Sequence, residues 1–365
     1  MVREQAQERN FGIDTLRATA ILMVFFSHGV TLKGIPILQE LGTGVDLFFL
    51  ISGFLIGRIY FKSRQIGTFS TLTFWESRWW RTLPPYFVAL GMYAFASRWD
   101  PAHAVNWRYV FFVQNFHGMG GFAPSWSLCE EEHFYLLLPV LMLAAEWAFG
   151  KARLLWMLPV AFFVPLVLRI GAMATAGHMP AQWYWMTQFH SEALIAGVWL
   201  ALVYVEHPAL FKRLKWPSRL TLGFAPAILF ALSEWKQRND WGYIFIFTVL
   251  ALAFLAWFRV MHDLKWVPCT RAGELMREGL KFVAVSSYSV YLVHVLFLDN
   301  VRRLIDAWPR GVMKSGVILC ATYALCIVFY FAIERTTLRV RESVMARRKQ
   351  QVFAGGAVAD EVVAA

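Results

Sequence analysis

The sequence predicts an all-α polytopic membrane bundle of about ten transmembrane helices with both termini in the cytoplasm, and three observations predict it. Apolar residues make up 58% of the 365 residues, with 17 Trp and 32 Phe, and mean hydropathy is +0.48, well beyond a soluble domain. Ten apolar stretches are long enough to span a bilayer, at about 13–32, 44–61, 82–97, 127–147, 154–171, 186–205, 219–234, 241–258, 282–299 and 315–333. With a cytoplasmic N-terminus, 24 of the 35 basic residues fall in cytoplasmic segments and 10 opposite, with Arg17 inside the membrane.

The net charge of +11 is therefore first a topology signal. It is spread over short loops and a tail instead of one face, which excludes nucleic acid as the expected partner. No repeat, low-complexity tract or long linker divides the chain. The expected division is a cytoplasmic segment 1–12, one membrane domain 13–336, and a basic then small-residue tail 337–365 predicted to be disordered. Cys129, Cys269, Cys320 and Cys326 show no metal-ligand spacing and read as buried fillers, so no metal is expected.

The first stretch follows Arg3 and Arg9 as a signal peptide would. No small-x-small site surrounds Ser27-His28-Gly29, so an uncleaved span is predicted. It carries Arg17 and His28, 11 residues apart, which places both on one helical face about 16 Å apart along the axis. An intramembrane Arg costs several kcal/mol unless it faces protein or a watery cavity, so the pair is a site hypothesis.

The second stretch opens Gly44-Val45-Asp46 and continues to Ser52-Gly53. Asp46 reads either as an acid favouring the positive end of the helix dipole or as a partner of His28. Ser52 and Gly53 read first as packing residues that let helices approach closely. Before the third stretch, Arg78 and Arg81 are neighbours on one helical face; a guanidinium pair suits phosphate, and interfacial snorkelling is the competing explanation.

The fourth stretch begins with Ser125-Trp126-Ser127-Leu128, then Cys129, Glu130, Glu131, Glu132 and His133. Three consecutive acids cannot all face lipid, so some must face water or a cavity. Glu131 and Tyr135 share a face, placing an acid or base beside a phenol, whereas Glu130 fits a solvated helix start. In the sixth stretch His190 and Glu192 read as packing or substrate-side lining. The ninth carries Ser287, Tyr291 and His294 on one face, a pattern that fits inter-helix hydrogen bonding or substrate support. Aromatics between about 98 and 125 suit sugar stacking and equally suit a membrane-interface belt.

Taken in order, these segments resemble the acyltransferase 3 family of integral membrane O-acyltransferases of carbohydrates. The resemblance rests on Ile13-Asp14-Thr15-Leu16-Arg17, the Arg17-x10-His28 spacing, Gly44-Val45-Asp46 through Ser52-Gly53-Phe54, and Arg78-x-x-Arg81 with Pro84 and Tyr86. It continues through Ser125-Trp126-Ser127-Leu128 with Glu131 and Phe134-Tyr135, Ser287-Tyr288-Ser289 with Tyr291-Leu292-Val293-His294, and Glu334-Arg335, covering roughly residues 10–336. Thr336 stands where the family often has Pro, and Cys129-Glu130 replaces a small or apolar pair.

The resemblance implies transfer of an acyl group, acetyl foremost, from cytoplasmic acyl-CoA as co-substrate to a hydroxyl of a surface or exported glycan such as an exopolysaccharide or lipopolysaccharide. The acceptor could be free or lipid-linked. The expected setting is a bacterial-type inner membrane, with membrane lipids and glycan-assembly proteins as neighbours. His28 would be the general base, or the acyl carrier; Asp46 or Glu131 would orient it or assist proton movement. Arg17, Arg78 and Arg81 would hold the donor. Tyr135, Ser287, Tyr291 and His294 would support the substrate or the structure. The chain ends soon after the tenth stretch, so the additional hydrolase-like domain of some members is not expected. A transporter or flippase for a glycan-linked or anionic substrate is the rival class, and a scaffold with polar inter-helix contacts is the third.

Overall fold

The computed structural model describes residues 10–29, 40–117, 120–178, 181–309 and 312–344. The predicted N-terminal segment up to residue 9 and the predicted tail beyond residue 344 lie outside the described residues. Within them every regular element is helical.

The principal helices are α1 (Phe11–Gly29), α2 (Gly44–Gln65), α3 (Thr71–Ala96), α4 (Ser125–Phe149), α5 (Leu154–Phe162), α6 (Val164–Ala176), α7 (Glu192–Glu206), α8 (Lys215–Arg238), α9 (Asp240–Met261), α10 (Arg271–Leu304) and α11 (Val312–Phe329). Side-chain caps open several of them where the sequence supplies Ser, Thr or Asn. Ser70 accepts from the Thr73 amide before α3, Asn239 from Gly242 before α9, and Thr270 from Gly273 before α10. A π-helical turn, Tyr330–Glu334, follows α11 and leads into a helix over 335–344.

Each predicted apolar stretch carries a helix. By length and apolarity, six are able to cross a membrane among the described residues, or seven if the pair Glu192–Glu206 and Pro208–Ala225, bent by 117°, is one span. The helices outside that set carry ionic groups, among them Asp14 and Arg17 on α1, and Glu76, Arg78 and Arg81 on α3. Those groups lower the apolarity of their windows while α1 remains largely buried by protein.

Helix α2 is the hub, with 72% of its apolar window buried against 28% for the windows in α4, α5–α6 and α11. It packs on α1, α4, α7 and α9, while α10 joins α1, α3 and α11. The α2–α7 crossing is very close because both helices present glycine. A Cβ on Gly53 would stand 2.1 Å from the Leu194 carbonyl oxygen, and one on Gly197 would stand 2.3 Å from that of Leu50. Gly53 and Gly57 form a small-xxx-small pair, the pattern that lets membrane helices pack backbone to backbone.

Candidate active site

Helices α1, α2, α3, α4 and α10 converge on a cavity of about 90 Å³. Its polar lining includes Arg17, Ser52, Arg78, Arg81, Glu131 and Tyr135. Thr82, Ser127, Ser287, Tyr288 and Tyr291 complete it. Residues 127, 131 and 135 share one face of α4 through their i, i+4, i+8 spacing, and 287 and 291 share one face of α10. Periodicity thus explains why side chains distant in sequence meet.

The carboxylate of Glu131 accepts a 2.6 Å hydrogen bond from Ser52 Oγ, which in turn accepts one of 3.3 Å from the Tyr135 hydroxyl. Arg17 donates to Ser287 Oγ at 3.1 Å. The Arg78 Nε is buried without a hydrogen-bond partner, leaving a donor at the cavity unsatisfied. Ser127 and Tyr291 join α4 to α10 through a 2.5 Å contact between hydroxyls.

A second chamber of about 380 Å³ shares Arg17, Leu55 and Arg81 with the first. It adds Arg58, from the last turns of α2, and Arg341, from the helix after the π turn. The Glu334 carboxylate lines it too and accepts from the amide and hydroxyl of Ser289. Four guanidinium groups, against Asp14 and Glu334, make this chamber a net cationic approach to the inner cavity.

His28 lies elsewhere. It is exposed at the end of α1 and does not line the cavity. Its Nδ1 lies 2.9 Å from the Val24 carbonyl, and Arg302 donates to its own carbonyl at 2.6 Å. Its ring meets that of His294 edge to face, with centroids 5.0 Å apart. His294 Nδ1 lies 2.7 Å from the Tyr291 carbonyl, and its Nε2 is buried without a hydrogen-bond partner. A carbonyl only accepts, so each Nδ1 carries a hydrogen, and Nε2 is the nitrogen left to act as an acceptor in the neutral tautomer. The His294 ring meets that of Tyr291 with centroids 5.9 Å apart, so His294 and the cavity-lining Tyr291 form the ring contacts that link His28 to the cavity wall.

The expectation that Asp46 or Glu131 orients His28 is not matched by contacts: Asp46 is bonded to His190 Nε2 at 2.7 Å, and Glu131 to Ser52. His190 is held from its other side by the Tyr184 carbonyl at 2.8 Å and stacks on Trp126. Two residues along from His190, the buried Glu192 pairs with Arg169 and Thr248. The three consecutive acids also separate. Glu131 faces the cavity, Glu132 accepts from Thr82 at 2.7 Å, and Glu130 is fully buried with neither oxygen hydrogen-bonded. That burial corrects the solvated helix start expected for Glu130.

On the sequence, Ser127 and Tyr288 entered only as members of motifs, Thr82, Arg58 and Arg341 were given no site role, and Ser52 was given to packing. Ser127 was visible as the residue one turn before Glu131. Arg341 was not, because the π turn shifts the helical register beyond it.

Asp263, beside the short segment after α9, gathers Arg259 at 2.9 Å, Lys215 at 3.1 Å and His262 at 3.3 Å. Burial acts to raise its pKa, but hydrogen bonds from Arg259, Lys215 and His262 outweigh it and hold the carboxyl well below the usual carboxylate range. This cluster braces the bundle away from the cavity.

Residues 10–331 match the Acyl_transf_3 family model, described as an acyltransferase domain. The chain is 26% identical over 327 residues to a Staphylococcus aureus (strain COL) protein named "Putative O-acetyltransferase", covering 80% of this chain and 51% of that protein. It is 23% identical over 351 residues to the peptidoglycan O-acetyltransferase OatA of Listeria monocytogenes, covering 88% of this chain and 54% of OatA. The chain thus spans about half the length of these curated relatives. No solved structure matches it.

Proposed function

From the premise that the chain belongs to the Acyl_transf_3 family of acyltransferase domains, we propose that it is a multi-pass membrane O-acetyltransferase. It would take the acyl group from acyl-CoA, acetyl-CoA foremost, and pass it to a hydroxyl of a surface or exported glycan. The relatives' names extend that class to peptidoglycan. In this reading about ten helices lie in a bacterial inner membrane with both termini cytoplasmic, and the cationic chamber opens on the cytoplasmic side.

The observation that carries the reading is the pair of chambers that share Arg17, Leu55 and Arg81, where Arg17, Arg78 and Arg81 meet the Glu131–Ser52–Tyr135 chain. Guanidinium groups match phosphate in charge and geometry, so Arg81 and Arg17 would guide the donor's phosphorylated end in the wider chamber. The inner cavity is small beside the roughly 300–1,000 Å³ of common ligand pockets, which favours a short acyl group there. Arg78, with its unsatisfied Nε, would stabilise the oxyanion that forms on the thioester carbonyl.

His28 Nε2 would take the proton of the acceptor hydroxyl as its oxygen attacks the thioester carbon. Collapse of the tetrahedral intermediate breaks the carbon–sulfur bond and gives the ester, and the proton ends on the departing thiolate. Donor and acceptor would meet where Tyr291 and His294 link the cavity wall to His28. Reorientation of those two rings is the opening this scheme requires.

General-base catalysis contributes roughly 10²–10⁴-fold. His28→Ala, purified and given labelled acetyl-CoA with peptidoglycan or exported-glycan fragments, is expected to lose at least about 100-fold in initial transfer rate, with its melting temperature retained. A variant that transfers label at the wild-type rate overturns the role of His28. Wild-type protein that moves the donor or acceptor across a vesicle membrane without covalent change overturns the enzyme reading.

A further inference from the structure

At the end of the bundle that carries His28, a lateral groove of about 590 Å³ runs between α3 and α10, separate from both chambers described above. Val88, Phe95 and Phe297 supply apolar wall, and Val88 to Phe95 follow α3 for about 10 Å. That is a third of the roughly 30 Å hydrocarbon core. At its far end the lining turns polar, with Trp99, Asp100, His103, Asn300 and Arg303.

This rim is built. Asp100 accepts from the Ala102 amide at 3.0 Å and pairs with Arg303. The Ala102 amide first, then Arg303, hold the Asp100 carboxyl below its ordinary range, so it stays charged. His103 is only 4% exposed, and its Nε2, 3.4 Å from Asp100 Oδ2, has no hydrogen bond. That nitrogen lies within ion-pairing range of Asp100 without a hydrogen bond between them, so His103 can still bond a ligand group at this rim. Trp99 is 68% exposed and offers an indole face.

Neighbouring residues of α10 tie the rim to the segment that ends in the candidate base. Arg303 faces the groove while Arg302 grips the His28 carbonyl. An apolar slot ending in Asp, His, Asn, Arg and Trp matches an amphiphile whose head has hydroxyls to donate and accept and a ring face to stack. We infer that this groove binds the acceptor as a lipid-linked saccharide, its hydrocarbon chain against Val88, Phe95 and Phe297 and its first sugar at the Asp100–His103 rim. The inference rests on the acyltransferase reading and names the form in which the acceptor arrives.

Gly91 allows the test, because it lines the groove and a Cβ there would meet nothing within 4 Å. Gly91→Trp adds bulk to the lining from a position whose Cβ has open space, and its melting temperature is compared with wild type. The full chain in nanodiscs is given two diazirine probes, a polyprenyl-diphosphate-linked N-acetylglucosamine and a plain phospholipid with the diazirine on its acyl chain. The sugar probe is expected to label groove peptides at least fivefold more than the phospholipid, and Gly91→Trp to remove that excess. Equal labelling by both probes, or excess labelling that survives Gly91→Trp, overturns the inference and leaves the groove to bulk lipid.

Turnover separates this from the enzyme reading. With labelled acetyl-CoA, wild type is expected to show a KM at least tenfold lower for the polyprenyl-linked sugar than for a soluble chitooligosaccharide, and Gly91→Trp to collapse that ratio. Transfer to both sugars with equal KM overturns the lipid-linked acceptor while sparing the enzyme. Selective labelling without any transfer keeps the groove's ligand and overturns the acyltransferase reading.

Discussion

Adding one methyl group at Gly53 tests whether the α2–α7 crossing sets the geometry of the cavity. The Cβ of Gly53→Ala would lie 2.1 Å from the Leu194 carbonyl oxygen and 2.9 Å from its carbon. Real contacts of this kind rarely fall below about 3.2 Å, so the helices must part by about 1 Å. The obstacle is backbone, which cannot rotate aside. Overpacking of this size costs about 1–3 kcal/mol. The neighbouring residue is Ser52, whose 2.6 Å bond to Glu131 lengthens toward the limit of hydrogen bonding if α2 takes up the shift. A displacement of about 1 Å in a catalytic array can cost about 100-fold in rate. Purified Gly53→Ala is therefore expected to melt several degrees below wild type and to transfer label from acetyl-CoA about 100-fold more slowly. Gly171→Ala is the control: it lies inside α6, its added Cβ meets nothing within 4 Å, and alanine there should raise stability by about 0.5–1 kcal/mol. Gly53→Ala that melts and turns over like wild type would refute the reasoning, because the crossing would then have slack that the backbone distances deny.

Two further outcomes concern stability. Arg169→Met removes a fully buried guanidinium that donates to Glu192, Thr248 and two backbone carbonyls, and strands the Glu192 carboxylate. Thermal denaturation in detergent should show a loss of about 3–5 kcal/mol, partly restored when Glu192→Met is added; an unchanged midpoint refutes the pairing. Asp263, whose pKa is lowered in the folded chain, stabilises the bundle fully above the ordinary carboxylate value near about 4 and loses that contribution as pH falls through its lowered value. The melting gap between wild type and Asp263→Asn should stay constant from pH 8 to about 5 and shrink below about 4; a gap that closes already between pH 7 and 5 refutes it.

Much of the molecule was readable from spacing. Each predicted apolar stretch carries helix, and Arg17, Arg78, Arg81, Glu131, Tyr135, Ser287 and Tyr291 line one cavity. Helical periodicity puts 131 with 135 and 287 with 291 whatever the tertiary arrangement, and their cost in lipid drives those faces inward. Partners across helices were less readable. Asp46 was paired with His28 on the sequence, yet it bonds to His190, 144 residues away, and the start of α2 packs at the level of Ala20 to Val24, a turn or more short of His28. How far α1 and α2 overlap along their axes, and how closely Gly53 and Gly57 seat α2 on α7, are not written in the spacing of either helix. Glu130 was misjudged because a helix start in a loop-covered bundle need not meet water.

The π turn at Tyr330–Glu334 separates two kinds of change in this chain. A residue added to a helix rotates everything after it by about 100°, so the turn decides which side of the last helix carries Arg341 to the wider chamber. Replacing a side chain within Tyr330–Glu334 alters one contact. Deleting one residue there re-aims the whole terminal helix, leaving every side chain intact and pointing Arg341 somewhere else. Chain length in that turn is thus as much a determinant of the cationic chamber as the arginine itself.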